Sequence, residues 1–257
     1  MLRLTLLLIA LFSAIYCKAE NSGGQILTLT SEDTQRYALI FAPEQNSTPR
    51  PLVFVFHGRG GSMHGISRLM DIHNHWKDAV VVYPQGMWCE GGYRDGFGWV
   101  VPDGRDEGRD IRFFDTLLKH IKQHYNINDN NIYATGHSNG GGFTHALWAL
   151  RGDIFKGFAV SAAGSVRLKE NAKKRKPKPI FIIGGSEDNV VRIEVIQREI
   201  ETAKRINGCS TRRKFSKSTT IYKGTNRNDV AVAIHPSGHK FQREFTEEIV
   251  NFFKYLQ

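Results

Sequence analysis

Residues 131–142 read Asn-Ile-Tyr-Ala-Thr-Gly-His-Ser-Asn-Gly-Gly-Gly. This segment joins an apolar, β-type run to a glycine-rich turn, and a helical pattern follows at residues 140–150. A serine between two glycines in a strand–turn–helix context fits the nucleophile-elbow pattern G-x-S-x-G. The glycines let neighbouring backbone approach closely, and the start of the helix directs N–H groups at a developing anion. Ser138 is therefore a candidate nucleophile.

The rest of the chain predicts alternating strands and helices. Apolar runs predict strands at residues 52–56, 79–83, 131–135, 158–161 and 180–183, after an N-terminal hairpin at 26–30 and 37–41. Residues 219–222 and 230–234 form either a strand each or one strand and one loop. Helical periodicity predicts helices at 111–124, 140–150, 191–206 and 241–256. Such alternation indicates an α/β fold with a mostly parallel sheet and helices on both faces. Ligand sites in such sheets lie at the carboxyl ends of the strands.

A second glycine-rich turn, His-Gly-Arg-Gly-Gly at residues 57–61, follows the strand predicted at 52–56. In an elbow-type enzyme, a loop in this position supplies one backbone N–H to an oxyanion hole. We assign the two donors to the backbone of Arg59 and of Asn139, the residue after Ser138. A phosphate-binding loop is the alternative, but the segment lacks the G-K-[ST] ending of a P-loop and the G-x-G-x-x-G motif of a dinucleotide-binding fold.

An acid and a base are expected on later turns. Asp188 and Glu187 follow the strand predicted at 180–183, and either could instead cap the next helix. His239 lies between the last predicted strand and the last helix, with His235 as the alternative. We favour His239, because a proline follows His235 and favours an extended chain there. The order Ser138, Asp188, His239 is that of the α/β-hydrolases.

The sequence resembles the secreted α/β-hydrolase esterases grouped with polyhydroxybutyrate depolymerases and feruloyl or acetylxylan esterases. The matching stretches are PLVFVFHGRGGS, VVYPQG, GHSNGGG, GGSEDNVV and SGHKF, within residues 25–256. The resemblance implies Asp188 rather than Glu187 as the acid, because the family's Asp-x-x-Val falls on Asp188 and Val191. The chain differs from many of these relatives at Gly184, Phe241 and Gln242, positions that the resemblance implies shape the acyl pocket.

The insertion at residues 85–109 holds several aromatic side chains, among them Trp88 and Trp99. They either form a rim that stacks on sugar or aromatic acyl groups or pack the insertion against the body. Trp88, Trp99, His57 and His137 are candidate substrate-binding residues.

These features predict a serine ester hydrolase that forms an acyl-enzyme, with no cofactor, no metal site and no large cap domain. Oligomeric or polymeric esters fit an uncapped site, either polyester oligomers or plant-type feruloyl and acetyl esters. The rivals are a serine peptidase of the same fold and a non-catalytic binding protein. The sequence does not fix the oligomeric state.

Residues 1–19 resemble a cleavable signal peptide, with Arg3 before an apolar run that is too short to span a bilayer. We predict cleavage after Ala19, a catalytic domain at residues 20–257, and a secreted or periplasmic location. An uncleaved anchor helix and a lipid-modified Cys17 are the alternatives. Cys89 and Cys209 then remain, either as a disulfide or as two thiols.

The chain has 257 residues and a formal charge of +10, which falls to +8 without residues 1–19. Hydrophobic residues make up 40%, as in an ordinary globular domain. The basic residues gather at 168–179 and 212–217. No aromatic residue interleaves the first run, so we expect solvated surface and no nucleic-acid partner. Weak contact with anionic glycans stays an open alternative.

Overall fold

The computed structural model describes residues 15–18, 23–44, 47–91, 94–102 and 108–257. Its strands are β1 Ile15–Lys18, β2 Gln25–Ser31, β3 Thr34–Phe41, β4 Arg50–Phe56, β5 Val80–Pro84, β6 Met87–Cys89, β7 Gly96–Gly98, β8 Ile127–His137, β9 Gly157–Ser161, β10 Ile180–Gly185, β11 Thr211–Lys214, β12 Thr220–Lys223 and β13 Val230–His235. Its α-helices are α1 Met63–Met70, α2 Ile72–His75, α3 Arg109–His124, α4 Asn139–Arg151, α5 Ile193–Ile206 and α6 Glu244–Tyr255. Three 3₁₀ segments are Gly152–Ile154, Val166–Lys174 and Thr225–Arg227.

One large sheet dominates the described part of the chain, with eleven strands in the order β1-β2-β3-β5-β4-β8-β9-β10-β13-β12-β11. The central strands from β5 to β13 are parallel to one another. The strands outside them pair in antiparallel fashion, and β6 and β7 form a separate hairpin. The predicted α/β fold with a mostly parallel sheet is confirmed.

Strand register brings the four predicted turns to one edge of the sheet. Phe56 at the end of β4 pairs with Gly136, and His137 at the end of β8 pairs with Ser161. Further along the sheet, Gly185 at the end of β10 pairs with His235 at the end of β13. The turns after β4, β8, β10 and β13 therefore leave the sheet at the same level, which is where parallel sheets hold ligands.

Alternating side chains build a core on each face of the sheet. In β4, Phe54 packs with helices α3 and α4 on one face, and Val53 and Val55 pack with α1 and α6 on the other. The strand is buried on both faces, which is why its sequence is a continuous apolar run. Each fully buried side chain of this size contributes about 1.5–3 kcal/mol by leaving water. The core thus holds the site-bearing strand ends rigidly.

Several elements differ from the sequence expectations. Helices α1 and α2, strand β11 and the hairpin β6–β7 were not expected, and the hairpin lies inside the insertion at 85–109, of which residues 92–93 and 103–107 lie outside the described residues. The predicted disulfide alternative is not present, since Cys89 and Cys209 are both free thiols.

The predicted signal peptide, residues 1–19, lies outside the described residues except for β1. The backbone of β1 pairs with β2 in antiparallel fashion, from Ile15 opposite Thr28 to Lys18 opposite Gln25. Across the described ranges, we find no helix with the length and apolar character that crossing a membrane requires.

Candidate active site

Ser138 occupies a strained turn between β8 and α4. Its backbone has φ 55° and ψ −120°, a region that non-glycine residues rarely adopt. Its N–H donates to Ser161 O at 2.9 Å, and its own carbonyl accepts from Gly142 N at 2.9 Å. These bonds fix the turn on both sides, and they present the Ser138 side chain at the edge of the sheet.

Two glycines explain why the chain can turn so sharply here. A Cβ on Gly140 would lie 2.6 Å from His57 O and closer still to Phe56 O, both rigid backbone atoms. A Cβ on Gly136 would lie 2.5 Å from the carbonyl carbon of Gly140. Both positions therefore exclude any side chain, and α4 can start directly against the end of β4.

Ser138, His239 and Asp188 form a continuous hydrogen-bonded chain. The Oγ atom of Ser138 lies 2.8 Å from His239 Nε2, and His239 Nδ1 lies 2.7 Å from Asp188 Oδ2. The other carboxylate oxygen, Asp188 Oδ1, accepts the N–H groups of Val190 and Val191, each at 2.8 Å. Helix α5 begins only at Ile193, so Asp188 orders the loop before the helix and still faces His239.

The alternative acid and base lie elsewhere. Glu187 is exposed to solvent, whereas the side chain of Asp188 is fully buried. His235 is buried beside Phe245, with ring centroids 5.6 Å apart, and its Nδ1 accepts from Ser237 N at 3.3 Å. Burial lowers the pKa of His235. The structure therefore brings Asp188 and His239, and not Glu187 and His235, to Ser138.

The two expected oxyanion donors flank Ser138. Asn139 is the first residue of α4, and the first N–H groups of a helix have no intrahelical acceptor. The backbone N–H of Arg59 has no acceptor among the described residues. Gly58 contacts the elbow directly, since a Cβ there would lie 3.4 Å from the Cβ of Ser138. Arg59 and Asn139 line the same cavity as Ser138, and the role of their N–H groups as oxyanion donors stays a prediction.

His57 supports the loop at 57–61 and does not face the cleft. Its ring is almost fully buried, its Nε2 accepts from Gly86 N at 2.9 Å, and its Nδ1 lies 2.8 Å from Gly58 O. Burial lowers the pKa of His57, so the neutral ring donates from Nδ1 and accepts at Nε2. The expectation that His57 contacts substrate is wrong, because both ring nitrogens are bound inside the protein.

Trp99 also lies below the site and not on a rim. It is 1% exposed, its ring stacks on Phe143 with centroids 5.1 Å apart, and its indole N–H donates to His57 O at 2.9 Å. Its backbone binds the amide side chain of Asn139 through two hydrogen bonds. The expectation of substrate contact is wrong for Trp99, because the alternative, packing against the body, accounts for its whole side chain.

Trp88 and His137 take different positions. Trp88 is 52% exposed on the hairpin β6–β7 and packs edge-on against Phe97, with centroids 5.7 Å apart. His137 lies against His239, with ring centroids 5.1 Å apart, and its Nδ1 lies 3.2 Å from Ser161 Oγ. Burial lowers the pKa of His137 to about 4, so its ring is neutral at pH 7. His137 therefore supports the imidazole of His239 from the side.

A cavity of about 450 Å³ opens in front of Ser138 and His239. Its walls are mostly short apolar side chains: Val101, Ala162, Ala163, Val166, Val190, Val191 and Val195. This volume lies within the usual range for small-molecule pockets. The rest of the lining includes three arginine side chains. Among the described residues, no cluster of His, Cys, Asp and Glu could hold a metal ion.

Sequence reasoning did not find several supporting residues. Gln85 holds the loop at 57–61 to α1, because its Oε1 accepts from Met63 N at 2.9 Å while its Nε2 lies 3.2 Å from His57 Nε2. Arg94 donates to Arg59 O at 2.8 Å. The motif VVYPQG contains Gln85, so the resemblance offered a signal for that residue and none for Arg94.

Curated relatives cover nearly the whole chain. A feruloyl esterase D of Neurospora crassa is 25% identical over 266 residues, which span 91% of this chain and 87% of the relative. A feruloyl esterase C of Emericella nidulans is 24% identical over 90% of this chain and 85% of its own length. No family model matches the sequence.

Solved structures share the fold at low sequence identity. The acetyl xylan esterase from Aspergillus awamori superposes with a TM-score of 0.66 at 13% identity, covering 95% of this chain and 99% of that one. An S-formylglutathione hydrolase from Agrobacterium tumefaciens gives 0.65 at 14% identity over 95% and 99%. The fold is that of the α/β-hydrolases, as predicted.

Fold and similarities together define the class: the chain is a serine carboxylic ester hydrolase of α/β-hydrolase fold. Within that class, the predicted resemblance to feruloyl and acetylxylan esterases is confirmed. Resemblance to polyhydroxybutyrate depolymerases stays a prediction.

Proposed function

We propose that Ser138, His239 and Asp188 are the catalytic triad of this esterase. The observation that carries the proposal is the unbroken path of 2.8 Å and 2.7 Å from Ser138 Oγ through His239 to Asp188. Both distances lie within the reach that proton transfer between a nucleophile and its base requires. The positive φ of Ser138 supports the assignment, because strained backbone of this kind gathers at functional turns.

The reaction proceeds in two steps. His239 Nε2 takes the proton of Ser138 Oγ as the oxygen attacks the ester carbonyl, and the imidazolium then returns that proton to the leaving alcohol. Water next attacks the acyl carbonyl as His239 takes its proton. The bond between the acyl carbon and Ser138 Oγ then breaks, and the imidazolium returns the proton to Ser138 Oγ, which releases the acid. The N–H groups of Arg59 and Asn139 bind the oxyanion in both steps. Each such donor lowers the activation barrier by about 3–4 kcal/mol.

Asp188 acts through His239. Its Oδ2 fixes the imidazole tautomer with the proton on Nδ1 and stabilises the imidazolium that forms, without taking the proton. Its Oδ1 is held by Val190 and Val191 N–H, so the carboxylate cannot rotate away. These two hydrogen bonds from backbone amides hold the Asp188 carboxylate in one position within its loop.

The substrates that we propose are feruloyl or acetyl esters of plant-type polysaccharides. The similarity to feruloyl esterases and to an acetylxylan esterase supports this choice. The apolar cavity suits an acyl group of modest size, and the exposed Trp88 and Phe97 offer faces on which sugar rings stack. Polyester oligomers are the second candidate, since they too have a carbonyl flanked by short apolar chain.

We further propose that the chain is exported, that residues 1–19 are removed, and that residues 20–257 form the working domain. The sequence of the first nineteen residues supports this, and in the cleaved protein β2 becomes the edge of the sheet. Mass spectrometry of protein from an envelope or culture fraction should give an N-terminus at Glu20. An intact Met1 in that fraction would contradict the proposal.

The triad is tested by labelling with a fluorophosphonate, which reacts only with an activated serine. We expect the wild type and Ser210→Ala, which removes an exposed serine far from the site, to be labelled, and Ser138→Ala to be blank. Labelling of Ser138→Ala would overturn the assignment, and an unlabelled wild type would favour a binding protein. Cleavage of peptide amides in preference to esters would favour the peptidase.

A further inference from the structure

The cavity in front of Ser138 has a strongly asymmetric charge. Three arginines, Arg59, Arg94 and Arg167, contribute to its lining, and none of the described lining residues is an aspartate or glutamate. Asp188 lies behind His239 with its side chain fully buried and both oxygens bound. Among the described lining residues, no acid therefore neutralises these three cations.

We propose that the substrate carries a carboxylate beside the scissile ester and that Arg167, assisted by Arg94, binds it. This inference rests on the proposed esterase function and specifies its substrate class. A carboxylate matches the planar fork of a guanidinium and accepts two parallel hydrogen bonds from it.

Arg167 is the more available of the two. It lies at the start of the 3₁₀ segment Val166–Lys174 and is exposed, and no hydrogen bond or ion pair holds it among the described residues. Its neighbours differ, since Lys173 binds Glu170 at 2.6 Å and Lys176 binds Asp153 at 3.4 Å. Arg167 alone in this segment combines free donors with a place on the cavity wall.

Arg94 belongs to a different segment of the chain, between strands β6 and β7 of the hairpin. Its Nη2 donates to Arg59 O at 2.8 Å and lies over Gly60, where a Cβ would be 2.6 Å away. A guanidinium has five N–H donors, so most remain for a ligand. Arg59 differs, because its Nη1 is directed at the carbonyls of Cys89 and Gly96. Arg59 therefore ties the hairpin down, and Arg94 is the hairpin's contribution to binding.

The apolar part of the cavity wall contacts the hydrocarbon segment of the substrate, and the basic part contacts its carboxylate. Val166 is 69% exposed and adjoins Arg167, so a short hydrocarbon segment packed on the valines reaches the guanidinium at its far end. The excess positive charge of the chain adds long-range attraction for an anionic substrate. Two arrangements supply the same chemistry: a carboxylate on the acyl group, as in a half-ester of a dicarboxylic acid, or a uronic acid on the alcohol side.

Two matched substrate pairs separate these arrangements. The acyl pair is the 4-nitrophenyl half-ester of glutaric acid against 4-nitrophenyl valerate, and the alcohol pair is an acetylated methyl galacturonoside against the acetylated methyl galactoside. For at least one pair, we expect the wild type to give a kcat/KM about three- to tenfold higher for the charged ester at low salt. That preference should shrink in 0.5 M NaCl, because salt screens exposed charges.

The variant Arg167→Gln tests the residue. We expect the ratio of charged to neutral kcat/KM to fall about two- to fivefold, the effect of one exposed ion pair. Arg198→Gln, an exposed arginine of α5 outside the cavity, is the matched control and should keep the wild-type ratio. Circular dichroism of each variant confirms the fold.

The outcomes are distinct. A wild-type ratio of one or less for both pairs, with good turnover of the neutral esters, overturns the anion site and leaves the esterase intact. The same holds if Arg167→Gln keeps the full preference. If the wild type hydrolyses neither ester of either pair, the proposed function fails, and this inference fails with it.

Discussion

The side-chain amide of Asn139 is bound to the backbone of Trp99 on both of its polar atoms. Trp99 N donates to Asn139 Oδ1 at 2.7 Å, and Asn139 Nδ2 donates to Trp99 O at 2.9 Å. The residue after the candidate nucleophile is thus joined to the segment that leaves β7. Because Trp99 also donates its indole N–H to His57 O, one residue links the two turns that we propose to form the oxyanion hole.

Asn139→Ala should therefore lower stability and activity together. The substitution leaves the Trp99 N–H without its acceptor, and an unsatisfied buried donor costs about 1–3 kcal/mol. Urea unfolding measures the loss, and Asn130→Ala, an exposed asparagine on β8, is the control that should change little. Equal stability of Asn139→Ala and Asn130→Ala would show that the link to Trp99 is not structural.

Gly140→Ala should prevent the elbow from forming. Its Cβ would collide with the carbonyl oxygens of Phe56 and His57, and neither can move without displacing β4. Gly142→Ala is the matched control, because its Cβ would meet only Val101 Cγ2 at 3.7 Å, and alanine is favoured over glycine inside a helix by about 1 kcal/mol. We expect insoluble or unfolded Gly140→Ala and soluble Gly142→Ala. A well-folded Gly140→Ala with wild-type melting temperature would contradict the packing described.

Asp110→Ala should be strongly destabilising. Asp110 is fully buried at the start of α3, pairs with the buried Arg36 at 2.6 Å, and accepts from Val100 N at 2.8 Å. Its removal leaves the Arg36 charge buried without a partner, which typically costs about 3–5 kcal/mol. Asp115→Ala on the same helix breaks the partly exposed pair with Arg151 and should cost under about 1 kcal/mol. Similar losses in the two variants, measured by chemical unfolding, would refute this ranking.

The stability of the protein should fall as the pH drops below about 6.5. The Nδ1 atom of His73 lies 2.8 Å from Tyr83 OH, and its ring stacks on Phe41 with centroids 3.6 Å apart. Burial at this position lowers the pKa of His73 to about 4. Between this pKa and that of the unfolded chain, His73 is protonated in the unfolded chain and neutral in the folded chain. The stability that His73 contributes is fully present above the pKa of the residue in the unfolded chain, and it is lost as the pH falls towards 4.

Replacement of His73 isolates that contribution. Between pH 6.5 and 4.5 the free energy of unfolding should fall less steeply for His73→Gln than for the wild type, by up to about 1.4 kcal/mol per pH unit, which is one proton. Asn74→Gln on the same short helix carries no titratable group and should keep the wild-type slope. An unchanged slope in His73→Gln would remove His73 as a source of acid sensitivity.

The turn around Ser138 could be predicted from the sequence because its strand–turn–helix pattern is local, whereas the catalytic roles of Ser138, Asp188 and His239 stay a proposal. Ser138 follows an apolar run and precedes a helix, and both periodicities can be read within about ten residues. The same holds for the turn at 57–61. For Asp188 over Glu187, local reasoning left a choice, which the family pattern decided. The structure gives the physical reason: Asp188 is buried and bound by three donors, whereas Glu187 faces solvent.

Contacts between distant segments could not be predicted. For Trp99 the sequence left open a rim position or packing against the body, because its partner Asn139 is 40 residues away and no local pattern reports that pair. His57 was expected in the cleft for the same reason, since its acceptor role depends on Gly86 N, 29 residues on. The short hairpin β6–β7 lacks a clear alternation of apolar and polar residues, so it was read only as an insertion.

Steady-state hydrolysis by Ser138→Ala tests the central claim most directly. The measurement is kcat/KM for methyl ferulate and 4-nitrophenyl acetate, with wild type and Ser210→Ala in parallel and circular dichroism as the check on folding. We predict that Ser138→Ala loses on the order of 10⁴-fold or more, because removal of a triad nucleophile leaves only binding and the oxyanion hole. Ser138→Ala that is folded and retains more than a tenth of wild-type kcat/KM would contradict the account.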